Sequence, residues 1–111
     1  MKIIDQDVID SLIEIGDKEF LTELIDIFLS QSEELIQEIN QAAAANNSQN
    51  LMKSSHKLKG SCLNLGALGL GAICQDLEVM SKKEDLSTLS EVMATLDKVY
   101  QETVTELIRH K

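Results

Sequence analysis

The sequence predicts an all-α protein, an antiparallel up-down-up-down four-helix bundle with a short N-terminal lid helix. Three observations carry this expectation. The 111 residues include no proline and no tryptophan, and the only aromatics are Phe20, Phe28 and Tyr100. Strands favour β-branched and aromatic residues and sheets need turn chemistry, and both are scarce here. The chain is rich instead in Leu, Ile, Ala, Glu, Lys and Gln, most of them good helix formers. Finally, apolar residues recur every three or four positions in five stretches broken by Gly, Asn or charged turns.

The first helix is expected from about Asp5 to Ile15, with Val8, Leu12 and Ile15 on one side and a stop at Gly16. Asp17 can cap the second, in which Phe20, Leu21, Leu24, Ile25, Phe28, Leu35, Ile39 and Ala42 follow the helical period to about Ala45. Asn46-Asn47-Ser48 then forms a turn and cap cluster. The third helix runs from about Gln49 to Leu65, and Gly66 suits a left-handed C-terminal cap. The fourth spans about Leu68 to Ser81 on a stripe of Leu70, Ile73, Cys74 and Leu77. The polar residues Lys82 to Asp85 separate it from the fifth, for which Ser87 or Thr88 can cap and Thr88-x-x-Glu91 has capping-box spacing. Leu89, Val92, Met93, Leu96, Val99, Tyr100 and Leu107 carry that helix to the C-terminus. Short connections make sequential helices antiparallel neighbours, and the first helix should lie across one end. Without repeats or linkers, residues 1–111 read as one domain, and a start at Met1 with an end just past the last helix is expected of a free-standing protein.

Charge narrows the function. Lys and Arg number 10 against 19 Asp and Glu, a net charge of −9. A nucleic-acid ligand needs a basic face to displace counterions, and an anionic membrane surface needs the same, so neither partner is expected. No apolar run approaches the roughly 18 residues of a membrane span, and MKIIDQDVID reaches acidic residues too soon for a signal peptide. Cys62 and Cys74 make no disulfide framework, so a reducing, cytoplasmic setting is expected, with both thiols serving as small core hydrophobes. Gly66, Gly69 and Gly71 read GxxGxG with no preceding strand, a helix junction rather than a phosphate loop, and no GxxxxGK[ST] occurs. Neither zinc-ligand nor EF-hand spacing is present, so no cofactor or metal is expected on this chain. His110, in the frayed C-terminal tail, is expected to be inert.

The third helix does not read as a core helix alone. On a wheel, Leu51, Ser55, Leu58, Cys62 and Leu65 form a core stripe, while Met52, His56, Lys59, Gly60 and Leu63 cluster on the far side. His56 therefore projects away from the interior. Lys53, Lys57 and Lys59 concentrate positive charge beside it in an otherwise acidic chain. Gly60 costs a helix about 1 kcal/mol relative to Ala, and a glycine there permits close approach of another group. Met52 and Leu63 beside it suit a docking surface. Neutral imidazole is a nucleophile near pH 7 and can carry a phosphoryl group. An ammonium one turn along can neutralise that group's oxygens in a loose transition state.

Ser55-His56-Lys57-Leu58-Lys59-Gly60-Ser61-Cys62 followed by Asn64-Leu65-Gly66-Ala67 resembles the signature of the histidine-containing phosphotransfer (HPt) family, H-x-L-K-G-S then N-[LI]-G-A. Cys74-Gln75-Asp76-Leu77-Glu78 resembles the family's C-x-x-L-E on the next helix, and the Gly16-Asp17 turn and Phe28-Leu29 helix fit as well. The resemblance covers essentially the whole chain. It implies a phosphorelay intermediate in which His56 accepts a phosphoryl group from an aspartyl phosphate on a response-regulator receiver domain and passes it to another receiver. It also implies that Lys59 steadies that group, Gly60 permits docking, and Glu78 orients the imidazole, with Nε2 as the phosphorylated nitrogen. On the wheel, Gly71, Gln75 and Glu78 share the face opposite the fourth helix's core stripe, towards His56. Partners implied are receiver domains and a hybrid sensor histidine kinase, with Mg²⁺ on the receiver and no ATP site on this chain, which is expected to be a monomer. Lys57, Met52, Leu63 and Gln75 are the remaining candidate contacts.

Two other readings compete. A pure interaction bundle would dock receivers through the same face without chemistry, leaving His56 and Lys59 incidental. A histidine kinase's own phosphoacceptor bundle is disfavoured, because that role typically uses a dimerising two-helix hairpin beside an ATP-binding domain, and neither pattern is present.

Overall fold

In the computed structural model, which describes residues 2–111, the chain order is α1 (Gln6–Ile15), α2 (Lys18–Ala44), α3 (Ser48–Leu65), α4 (Leu68–Lys82) and α5 (Leu89–Arg109). No strand occurs among the described residues. Helices α2, α3, α4 and α5 close a ring in which α2 packs on α3, α3 on α4, α4 on α5 and α5 on α2. Short connections make successive members antiparallel. The 27-residue α2 sets the long axis of a body measuring 43 × 23 × 20 Å.

Local chemistry marks the starts of α1, α2 and α3 and the end of α3. Asp5, Asp17 and Asn47 accept backbone N–H groups of Asp7, Phe20 and Asn50, satisfying donors that the first turn leaves orphaned. Gly66 closes α3 at φ +76°, and a Cβ there would lie 2.9 Å from Val8 Cβ, so both conformation and space demand glycine. The chain start is laced to this corner: Asp5 N–H donates to Gly66 O at 2.8 Å and Gly69 N–H to Ile3 O at 3.3 Å. Helix α1, packed against α2, thus covers the end of the bundle that holds the α3–α4 turn.

The core runs through Leu21, Ile25, Phe28 and Ile39 of α2, Leu51, Leu58 and Cys62 of α3, Leu70, Ile73, Cys74 and Leu77 of α4, and Leu96, Val99 and Leu107 of α5. The Cys62 thiol hydrogen-bonds Cys74 and is buried, which raises its pKa and keeps it protonated. Buried hydroxyls are satisfied within their own helices: Ser55, Ser81 and Thr103 each donate to the carbonyl four residues back at 2.7 Å. Ser32 instead pairs with the Tyr100 hydroxyl at 3.0 Å, tying α2 to α5.

Three sequence expectations need correction here. In α1 the residue that enters the core is Ile9, and Ile15 is exposed. The chain start is pinned to the Gly66 corner by Asp5 and Ile3, and in that setting it is Ile9 that is buried. Thr88 precedes α5 without any side-chain cap bond, so the capping box does not form. Asp85 takes up the turn by accepting Ser87 N–H at 3.2 Å. His110 does not fray: its Nδ1 lies 2.8 Å from Glu106 O and its Nε2 3.1 Å from Gln6 Oε1, joining the end of α5 to α1.

Candidate functional site

His56 sits mid-way along α3 on the side away from the core, and its side chain is 69% exposed. Ser55 and Leu58, its neighbours on either side of the helix, are fully buried, so the helix is anchored while the imidazole stands clear. The wheel placed it correctly. The neighbouring α4 supplies what lies beneath the ring: Glu78 Oε1 is 2.8 Å from His56 Nδ1.

Glu78 is the unusual residue of this protein. It is only 4% exposed, and burying a carboxylate without partners would be very costly. Its partners come from both helices. Lys59 Nζ lies 3.2 Å from Oε1 and 3.3 Å from Oε2, while Lys82 Nζ lies 3.4 Å from Oε2. The hydrogen bond with His56 and those with Lys59 and Lys82 outweigh desolvation and hold the Glu78 pKa down at about 2. Glu78 is therefore a carboxylate at neutral pH, with acceptors only, and Nδ1 must be the donor across the 2.8 Å contact. In a neutral imidazole with its proton on Nδ1, the lone pair resides on Nε2.

Burial of Glu78 corrects its expected placement opposite the core stripe of α4. Glu78 lies one turn after Cys74, about 40° round the helix from it, so it sits at the edge of the core stripe in the seam with α3, while Gln75, about 100° from Cys74, remains exposed. Lys59 likewise does not simply face solvent. Its side chain is 22% exposed and folds back over α4, donating to Gln75 Oε1 at 3.0 Å as well as to Glu78. Sequence reasoning missed Lys82, which had been assigned to a connecting stretch but ends α4. The i, i+4 spacing of Glu78 and Lys82 on one helix was the available signal.

Gly60 meets no atom within 4 Å of where a Cβ would stand. Nothing in this chain's own packing requires a glycine there, so the helix bears its cost of about 1 kcal/mol with no internal return. Two grooves flank the histidine. One is lined by Met52, Lys53, His56, Lys57, Glu78 and Lys82. The other carries Lys59, Leu63, Leu68, Ala72 and Gln75 and reaches Val8 of α1. Met52 is half-buried, Lys57 exposed and Leu63 65% exposed. The candidates thus divide into a core of contact (His56, Lys59, Gln75, Glu78) and a rim (Met52, Lys57, Gly60, Leu63) that does not converge on the imidazole. Among the described residues no group of three or more His, Cys, Asp or Glu side chains is arranged to hold a metal ion. Among the described residues no helix is long and apolar enough to cross a membrane.

The site and fold have known counterparts. The sequence matches the Hpt domain family over residues 23–108. The fold is similar to the crystal structure of histidine-containing phosphotransfer protein B (HptB) from Pseudomonas aeruginosa PAO1, with a TM-score of 0.88 and 25% identity over 96% of this chain and 91% of that one. No curated protein sequence matches it. A helical bundle that turns one imidazole outward over a buried carboxylate, with that match across most of its length, belongs to the Hpt domain family and is a histidine phosphotransfer intermediate of phosphorelay signalling.

Proposed function

We propose that His56 is the phosphoryl carrier and that Nε2 is the atom that carries it. The observation behind this is the 2.8 Å contact between Nδ1 and the buried Glu78 carboxylate, which leaves Nε2 on the exposed edge of the ring. The Nε2 lone pair attacks the phosphorus of a receiver's aspartyl phosphate, the P–O bond to the aspartate breaks, and the aspartate carboxylate leaves with the electron pair. No proton has to move. The Nδ1 proton stays in place, the ring becomes cationic, and Glu78 offsets the new charge. Onward transfer reverses these changes: the P–N bond breaks towards a second receiver's aspartate and Nε2 regains its lone pair. Lys59 neutralises the oxygens of the transferring group, which in a loose transition state is most of what a protein can contribute.

Receiver domains are the direct partners in this reading, and a hybrid sensor histidine kinase is the source. The receiver brings Mg²⁺ and the phosphorylatable aspartate, and this chain acts as carrier without an ATP site of its own. Met52 and Leu63 supply apolar contact around the histidine, Gly60 lets the partner's backbone approach, and Lys53 and Lys57 face an acidic pocket. Working as a monomer in the cytoplasm is consistent with a −9 charge and free, buried cysteines.

Incubation with a phosphorylated receiver and Mg²⁺ tests the reading. Label should appear on the wild type, survive alkali and be lost in acid, as a phosphoramidate is, and be absent from His56→Gln. Retained receiver binding with no label on either would favour a docking-only bundle. Label on His56→Gln would put the carrier residue elsewhere.

A further inference from the structure

The lysine that serves the phosphoryl group in this reading is already engaged by α4 before that group arrives. An ammonium has three N–H donors, and Lys59 Nζ has three oxygens around it: Gln75 Oε1 at 3.0 Å, Glu78 Oε1 at 3.2 Å and Glu78 Oε2 at 3.3 Å. A phosphoryl group on His56 brings about two negative charges at neutral pH. As Lys59 turns to meet it, its hold on Glu78, where two of its three oxygen contacts lie, weakens. Glu78 is almost wholly buried, so a carboxylate deprived of its ammonium there would pull Lys59 back.

A second cation already stands on the same carboxylate. Lys82 Nζ is 3.4 Å from Glu78 Oε2, the oxygen not used by His56, and its side chain is 61% exposed. Lys82 ends α4, so its side chain reaches Glu78 from the groove holding Met52, Lys53 and Lys57, whereas Lys59 flanks the other groove. We propose that Lys82 is a positioning residue for phosphoryl transfer: it keeps a positive charge on Glu78 when Lys59 leaves that carboxylate for the phosphoryl group on His56. The proposal rests on His56 as carrier and Lys59 as its stabiliser. No bond to Lys82 forms or breaks, since the only covalent change is replacement of the aspartyl P–O bond by P–Nε2.

The test follows the rate of phosphoryl acceptance from a phosphorylated receiver with Mg²⁺ in wild type, Lys82→Gln, Lys82→Arg, Lys59→Ala and the Lys59→Ala/Lys82→Gln pair. Lys82→Gln should slow acceptance roughly fivefold, the scale of one partly exposed ion pair. Lys82→Arg should restore the rate, and Lys82→Gln should add nothing once Lys59 is gone, because it acts through the release of that lysine. Equal slowing in both backgrounds would overturn the hand-over and make Lys82 a direct phosphoryl contact. No slowing in either would make it a solvated surface lysine. Nitrogen-15 spectra of the imidazole give a second readout: the Nδ1-protonated form should persist in Lys82→Gln, and its loss would mean that Lys82 merely holds Glu78 in place. A wild type that takes no label overturns the carrier reading and this proposal with it, and that control is separate from every variant.

Discussion

Each of the two histidines has an oxygen 2.8 Å from its Nδ1, but their surroundings differ chemically. His110 has an acceptor at each ring nitrogen, Glu106 O at 2.8 Å and Gln6 Oε1 at 3.1 Å. Both are neutral amide oxygens, and both ring edges are spoken for. His56 has one nitrogen on an ionised carboxylate and the other on its exposed edge. A carbonyl can orient an imidazole as well as a carboxylate can, but it brings no negative charge to balance a phosphorylated ring. The carrier role proposed for His56 is best served by one free edge and one charged anchor, and of the two histidines only His56 has that pair. His110 is a clasp between α5 and α1.

The sharpest way to break this contrast is to exchange the roles. His56→Gln should abolish phosphoryl acceptance, whereas His110→Gln should leave it at the wild-type rate and lower only the melting temperature; labelling and thermal unfolding of the two variants decide it. Next in size is Lys59→Ala. Removing one charged donor aimed at a developing oxyanion typically costs on the order of 10²-fold in rate. Lys82 remains on Glu78, so the variant should stay folded by circular dichroism.

Glu78→Gln sharpens the comparison further by converting the His56 anchor into the neutral kind that His110 has. An amide oxygen still accepts the Nδ1 proton, so transfer should fall roughly tenfold rather than vanish. The same substitution has a pH signature. The Glu78 pKa is about 2 in the folded chain against an ordinary 4.5, so the unfolded chain binds more protons between those values. Its contribution to stability is complete above about pH 4.5 and is lost as pH falls through about 2. Denaturant melts at pH 6, 4 and 2.5 should show the wild type losing stability faster than Glu78→Gln across that window.

The smallest effect separates the site's rim from its core. Gly60→Ala introduces a methyl into open space, and should stabilise the helix by about 1 kcal/mol. Receiver binding should weaken in the same variant. A gain in melting temperature with unchanged binding, measured by titration calorimetry, would remove Gly60 from the docking surface.

Much of this was legible because helical periodicity and capping are local. Asp17, Asn47 and Gly66 each mark a helix end by a side chain or a backbone angle that needs no distant partner, and all three perform as their residue types require. Thr88 had the right spacing for a capping box and failed, because the turn was taken by Asp85 three residues earlier. Within α3, the three- and four-residue spacing was enough to put His56 outside and Leu58 inside.

Sequence by itself therefore determined the all-helical class, the helix ends, the outward histidine and the uncompensated glycine beside it. It could not determine how closely α4 seats against α3, since that depends on how two sets of side chains interlock. That seating decided that Glu78, at the edge of the α4 core stripe, is buried under the imidazole while Gln75 stays exposed. It also brought Lys59 and Lys82, 23 residues apart in the chain, onto one carboxylate, and set that carboxylate against Nδ1 of His56. A single helix can aim a side chain, but only two helices meeting can set its protonation.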